Sequence, residues 1–594
     1  MNWRQINGAR VINWVRQQQK RSPLFRNFDR SEQRLVLQSA IIGAVVWLPV
    51  FLLKSVVHIT FDHVLSLLER SPTVLFVVIP LWLGALAVVA IVRTRGTKLI
   101  YYNREGQLRE LHDVEGDGLE RAISLYYASE PSFEHSLQGK EGLEVRWELP
   151  TFSLAVRKFL ATWSTLGSGG SGGLEASVAL IGESLAAAMF KPRAPIREAG
   201  HRSPVLRKVT RWWSAGDSDD LQTAQLCGIA AAVATLTGAP FMSAFFAAEI
   251  MYRRRPLIEK LIYSLIATLV AYFLSTLATS GHETLFEVER LYLPPADWRY
   301  YSVVLLMSIA IAFVSIYFVR ARRLLERAFR DKVTNIWWKH LLGATLTGLI
   351  AITTVQIAQH FSLTDQSGAL DMVLSTGDRT IEMAMAGQLT LGLASLALVG
   401  KMLATLSTIS SGGSAGLLIP SLYLGTMMAA MVATVSGYEP LLLIVPAMTA
   451  SLVSIVNVPL AAILLPVELF SSHYLPPALL ALVICSLLTN EEKLYRTQRE
   501  TFSRRQIVPG AEVRRIVIPQ AWHGKTLVDL NFRRTFNLTV IGLLEAHGED
   551  GLPHVRLDPG ASLVLGSGDT IVVLGAEESL DTLEQMIREL EAVE

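Results

Sequence analysis

Cysteine is nearly absent from this chain, two in 594 residues, and charged side chains make up only 18% of it. Cys227 and Cys485 each lie in an apolar segment, which argues against a disulfide framework or a cysteine metal site. Soluble chains carry about 25% charged residues. That deficit, with 51% hydrophobic residues, excludes a soluble multidomain protein of ordinary composition. His201, His340 and the other histidines have no ligand spacing, so neither a metal nor a cofactor is expected. The serine-rich run at 407–414 has no His–Asp pattern beside it, so no hydrolase, and no enzyme, is expected. The net charge of +2 points to no particular partner, and none is expected among nucleic acids. The first residues lack a short apolar core followed by a small-residue cleavage site, so no removed signal peptide is expected.

Long apolar runs are abundant. A bilayer core of about 30 Å needs about 20 apolar residues per helix, and such runs occur at 34–58, 72–92, 256–279, 301–319, 338–360 and 472–489. Shorter or interrupted pieces lie at 152–166, 175–190, 220–236, 240–251, 385–409, 420–436, 440–456 and 459–470. Broken membrane helices survive only where protein covers them or they line a watery cavity, so their number favours a transporter or channel among lipids over a simple anchor. Basic residues such as Arg4, Arg10, Lys20 and Arg34, with clusters at 93–98, 253–255 and 320–332, mark the inner side. The stretches at 280–298 and 362–383, rich in acids such as Glu283 and Asp378, face outward on this reading. Both termini are expected in the cytoplasm, in a multi-pass protein of the cell membrane.

Within this apolar chain, 167–178 is a glycine-rich break carrying one carboxylate, Glu175. An acid at membrane depth is a functional candidate by default. Glycines leave backbone N–H groups open to a ligand, and a helix starting near Glu175 aims its positive end into the gap. This is chemistry for an anion. The breaks contain no Lys or Arg, which suits conduction, because a full charge in a dry pore would hold an anion too firmly. A second break runs from Ser410 to Gly425. Downstream of each break comes an echo: Pro240 with Glu249, and Pro459 with Glu468, the acid nine positions after the proline in both. Two halves with matching broken helices are the pattern of inverted-repeat transporters, with the site at their interface.

At these residues the chain resembles the CLC family of chloride channels and proton-coupled chloride exchangers, over about 34–496. The family's Gly-Arg-Glu-Gly-Pro loop matches Gly173-Leu174-Glu175-Ala176-Ser177, which implies that Glu175 is the gating glutamate and that Gly173 and Leu174 line the anion path. Its Gly-Ile-Phe-Ala-Pro loop matches Gly416-Leu417-Leu418-Ile419-Pro420, implying that the N–H groups of Leu417 and Leu418 face the anion. The family's final tyrosine, a donor to the anion, matches Tyr495. Its Gly-Ser-Gly-Ile-Pro loop falls at 116–120, where Asp117 replaces the anion-binding serine. Asp117 then either stays protonated at the anion, or turns away as a helix N-cap, or the match is misplaced. Glu249 and Glu468 have two readings, hydrogen bonding within each repeat or a part in transport. Proton-coupled members often place a second glutamate after the position of Glu249; here it is Ile250, apolar as in channels, so passive conduction is favoured over exchange.

From about 496 the chain changes to alternating β-branched strands near 515–519, 538–544 and 570–575, with a closing helix at about 578–592. The sequences at 524–531 and 558–570 resemble the TrkA-C (RCK C-terminal) regulatory domain of potassium-uptake and potassium-channel gating subunits. The expected organisation is a cytoplasmic segment at 1–33, a CLC-like all-α membrane domain of broken-helix repeats at 34–496, a linker at 497–510 and a small α/β domain at 511–594. The resemblance implies chloride or a similar small anion as cargo, gating by Glu175, and a homodimer with one pathway per subunit. A small molecule is a possible ligand of the tail. Bicarbonate and other oxyanions use the same backbone donors. The rival from another class, a cation-uptake protein, needs a Thr-Val-Gly-Tyr-Gly filter, and none occurs.

Overall fold

The computed structural model describes residues 30–71, 73–95, 98–102, 108–128, 136–138, 144–146, 152–190, 218–251, 258–279, 285–286, 291–489, 494–495, 506–508, 511–545, 554–557, 559–566, 569–576, 579–580, 582–583 and 586–587. They divide into two compact units near 498/499.

In the first unit, apolar sequence becomes helix wherever no glycine or proline interrupts it. The helices are α1 (Arg30–Glu69), α2 (Val78–Arg95), α3 (Leu119–Ala128), α4 (Phe152–Gly167), α5 (Glu175–Phe190), α6 (Ser218–Thr237), α7 (Pro240–Ile250) and α8 (Leu261–Thr279). They continue with α9 (Trp298–Lys332), α10 (Ile336–His360), α11 (Gln366–Val373), α12 (Asp378–Met385), α13 (Leu391–Ser410), α14 (Leu418–Ser436), α15 (Pro440–Ser451), α16 (Pro459–Leu469) and α17 (Leu475–Leu488). Among the described residues, seven helices are long and apolar enough to cross a membrane.

Proline opens α7, α15 and α16, where its missing N–H is one the first helical turn would leave unbonded anyway. These three are also short, which is how the echoing segments become half-helices. Two expectations change in detail. The pieces at 385–409 and 420–436 form helices long enough to span, whereas 472–489 becomes a shorter apolar segment, Ser472–Leu488, opened by a turn and two prolines. The stretch at 362–383, expected as an outward loop, holds α11 and α12. Asp365 caps α11 by accepting from Gly368 N at 3.1 Å. Short amphipathic helices escape a search for apolar runs, as does the small sheet β1 (Lys98–Tyr102), β2 (Leu108–His112), β3 (Ser136–Gln138) and β4 (Glu144–Arg146), ordered β2-β1-β4-β3.

The second unit is an antiparallel sheet of β5 (Gln506–Val508), β6 (Ala511–Val517), β7 (Thr539–Glu545), β8 (His554–Leu557) and β9 (Thr570–Ala576), in the order β5-β6-β9-β7-β8, with a short helix α18 (Phe532–Phe536). Its core gathers Ile516, Trp522, Phe532, Leu543, Ile571 and Val573 with Leu580, Leu583 and Ile587. The expected strands fall on β6, β7 and β9. The closing helix is seen at 579–580, 582–583 and 586–587, and the rest of 578–592 lies outside the described residues.

Candidate functional site

The two glycine-rich breaks meet back to back. Gly173 N donates to Gly416 O at 2.8 Å, and Gly416 N donates to Gly173 O at 2.5 Å, an isolated antiparallel bridge. Side chains reinforce it in matched pairs. Thr162 and Ser414 share a hydroxyl hydrogen bond of 2.9 Å, as do Ser171 and Thr405. Ser171 N donates to Thr408 Oγ1 at 3.1 Å, and Ser414 N to Thr165 Oγ1 at 3.0 Å. Each residue has its counterpart 243 positions on, Thr162 with Thr405, Thr165 with Thr408, Ser171 with Ser414 and Gly173 with Gly416, so one half reproduces the other about a two-fold axis. The signal lay in the sequence as Lys-x-Leu-Ala-Thr-x-Ser-Thr at both 158–165 and 401–408, upstream of the motifs singled out above.

Glu175 is the first residue of α5 and is 3% exposed. Its side chain folds over Gly173, where an added Cβ would collide with the carboxylate. Oε2 accepts from Ile419 N at 3.4 Å, within the first turn of α14. The acid of one repeat therefore lies at the positive end of the other repeat's helix, each such end carrying about half an elementary charge. Gly173, Leu174, Leu417 and Leu418 are all gathered and buried around this contact. The N–H that Glu175 meets belongs to Ile419, one residue past the two expected donors.

Two buried lysines complete the symmetry. Lys158 Nζ on α4 donates to Gly116 O at 2.8 Å and Val114 O at 3.2 Å. Lys401 Nζ on α13 donates to Ser375 O at 2.6 Å and Leu374 O at 3.1 Å. Each packs on a glycine held at positive φ, Gly118 at +89° and Gly377 at +80°, where a Cβ would be both strained and crowded. The breaks are free of cations, yet each carries one a helix away, at a site that apolar periodicity hides.

Asp117 caps α3, accepting from Leu119 N at 3.2 Å, and its other oxygen lies 3.5 Å from Arg322 Nη2 of α9. Of the three alternatives for Asp117, this geometry is that of the N-cap. Tyr495 is fully buried and interacts electrostatically with Asp117, Arg322 and Glu120. Glu115 is paired with Lys339 at 2.7 Å and His340 at 2.9 Å, and Asp113 with Arg157 at 2.7 Å through both oxygens. Among the described residues no group of His, Cys, Asp and Glu is arranged to hold a metal ion.

Glu249 and Glu468 correct the expectation of bonding within each repeat. Glu249 accepts from Leu460 N at 3.0 Å and Ala461 N at 3.1 Å, at the start of α16. Glu468 accepts from Phe241 N at 3.0 Å and Met242 N at 2.8 Å, at the start of α7. Each acid caps the other repeat's proline-opened helix, whose first N–H groups have no partner of their own. Ile250 follows Glu249 and is fully buried.

Comparison with known proteins agrees with this geometry. The family described as "Voltage gated chloride channel" matches residues 128–490, and the TrkA-C domain matches 513–588. The chain belongs to the voltage gated chloride channel family. Three solved structures share its fold: a CLC-type fluoride/proton antiporter (17% identity, TM-score 0.58, 80% of this chain and 100% of that one), a slow cyanobacterial Cl-/H+ antiporter (17%, 0.57, 77% and 94%) and a eukaryotic CLC transporter (15%, 0.53, 93% and 89%). The uncharacterized protein MJ0305 of Methanocaldococcus jannaschii is 24% identical over 271 residues, which cover 46% of this chain and 64% of that relative's length. The chain is a multi-pass membrane protein of the CLC type with a TrkA-C match in its tail.

Proposed function

We propose that the chain exchanges chloride or a similar small anion for protons, with Glu175 as a tethered gate. The observation that carries this reading is the contact of the Glu175 carboxylate with Ile419 N, inside paired helix N-termini. Those donors suit any small anion, so ionised Glu175 and the cargo compete for one place. Protonation removes the attraction and lets the side chain leave. Residues 169–184 and 404–430 are buried without interruption, which supports alternating access rather than a standing pore. Backbone donors from Leu174, Leu417 and Leu418 would bind the anion, Gly173, whose own N–H is held by Gly416 O, would line its path, and Tyr495 would line the inner approach, with Asp117 turned aside toward α3 and Arg322. One observation favours passive conduction instead: Ile250 puts an apolar side chain beside Glu249.

The reading includes a homodimer with a pathway in each subunit, termini in the cytoplasm, and a tail that tunes the gate, with a small molecule as its possible ligand. The test is flux from liposomes holding the full chain. A chloride gradient is expected to drive protons uphill in wild type, and Glu175→Gln is expected to keep anion flux and lose proton movement. Anion flux with no proton movement in wild type means a channel. Rubidium uptake without anion flux would refute the family mechanism altogether.

A further inference from the structure

A proton reaching Glu175 from the inner side must cross the buried length of α5. Glu183 stands on that route, two turns along the same helix and fully buried. It differs from the other buried acids described above. Asp113, Glu115 and Asp117 have cations, while Glu249 and Glu468 cap helix N-termini. Glu183 sits in mid-helix and, among the described residues, meets only Gln225 and Ser184. Gln225 Nε2 of α6 donates to Oε1 at 2.5 Å, and Ser184 Oγ donates to Oε2 at 3.2 Å.

Among the described residues, the cations Lys158, Arg157, Arg121 and Lys260 near α5 bond to other groups, Arg157 to Asp113. Lys158 of α4 binds loop carbonyls, Arg121 of α3 donates to His112 O, and Lys260, just before α8, donates to Gln222 Oε1 at 3.3 Å. A carboxyl group without a cation changes its charge by taking or losing a proton, because a bare buried charge costs several kcal/mol.

A second observation points along the helix toward the gate. Ser177 Oγ is buried and, among the described residues, has no hydrogen-bond partner, although buried hydroxyls are almost always bonded to protein or water. Ser177 and Ser184 are seven residues apart, hence on one stripe of α5 and separated by roughly 10 Å along the axis. That stripe joins the Glu183 carboxyl group to the turn that carries Glu175. On the other side, Gln225 and Gln222 lead down α6 to Asp220, which pairs with Arg34 at the basic start of α1.

We propose that Glu183 is the inner proton station of this exchanger, held by Gln225 and joined to Glu175 by water along the Ser184–Ser177 stripe. The inference rests on the exchanger reading given above. A proton from water at the Arg34–Asp220 end binds the Glu183 carboxylate. The Glu183 O–H then gives its proton to the water chain, which delivers one proton to the Glu175 carboxylate as an anion moves the opposite way. Glu183 returns to its ionised form and is reprotonated from the inner side.

The test uses full-length protein in liposomes and follows chloride and proton fluxes together. Glu183→Gln keeps size and hydrogen bonding but carries no proton, so it is expected to retain chloride flux within about threefold and to lose proton coupling at least tenfold. Ser177→Ala is expected to slow proton uptake severalfold and leave chloride flux unchanged; it decides the matter if Glu183→Gln does not fold. Wild-type stoichiometry in either folded variant overturns the proposal, as does a parallel loss of both fluxes in Ser177→Ala. A wild type that moves anions without protons overturns the exchanger reading itself, a different result from a coupled wild type with a coupled Glu183→Gln.

Discussion

Truncating Glu249 should destabilise the membrane unit far more than neutralising it. The carboxylate accepts from Leu460 N and Ala461 N, and it is 5% exposed. Glu249→Ala leaves two donors without partners, a buried one on Ala461, at about 1–3 kcal/mol, and one on Leu460, which is 39% exposed and costs less, about 1 kcal/mol. It also removes a negative charge from a helix N-terminus, worth up to about 2 kcal/mol in a partly buried setting. The expected loss is therefore about 2–6 kcal/mol. Glu249→Gln keeps an acceptor oxygen of the same reach, so it should lose mainly the charge contribution, about 1–2 kcal/mol. Glu468→Ala should fall between the two, because the Phe241 N–H that it caps lies on a residue 50% exposed. The measurement is thermal unfolding of purified protein in detergent, followed by the loss of a monodisperse elution peak. The expected order of midpoints is wild type, then Glu249→Gln, then Glu468→Ala, then Glu249→Ala. Equal midpoints for Glu249→Ala and Glu249→Gln would refute the reading of this acid as a cross-repeat cap.

Lys401→Met should prevent folding or lower the unfolding midpoint sharply, since it strands the buried Leu374 and Ser375 carbonyls, a cost of about 2–6 kcal/mol at about 1–3 kcal/mol each; yield of monodisperse protein checks it. Gly416→Ala should abolish anion flux while Gly437→Ala does not, because a Cβ at Gly416 meets Ala176 N at 3.0 Å and Gly173 O at 3.1 Å, whereas one at Gly437 meets nothing within 4 Å. Liposome flux at matched protein density reads the difference, after allowing for the strain of an alanine at the positive φ of Gly437.

The glycine-rich breaks, the proline-opened half-helices and the strands of the tail were legible because each rests on local chemistry. Glycine and proline interrupt apolar helices wherever they occur, and alternating β-branched residues make strands. Lys158, Lys401 and Glu183 were less legible, since a single polar residue in an apolar helix looks alike whether it faces lipid, a loop carbonyl or a neighbouring helix. Of the two readings of Glu249 and Glu468, bonding within each repeat fails for a related reason. A capping residue and its helix need not be neighbours in sequence, and here they lie more than 200 positions apart.

By itself the sequence determined that this is a broken-helix membrane protein with two matching halves, a glycine-framed acid at Glu175 and a separate β-rich tail. Only the tertiary structure decided which groups face one another. The Glu175 carboxylate meets Ile419 N, Gly173 pairs with Gly416, and the two glutamates exchange helices across the repeat. Periodicity reports the face of an element on which a residue sits. The partner on that face is set by how two distant halves dock, which is a property of packing.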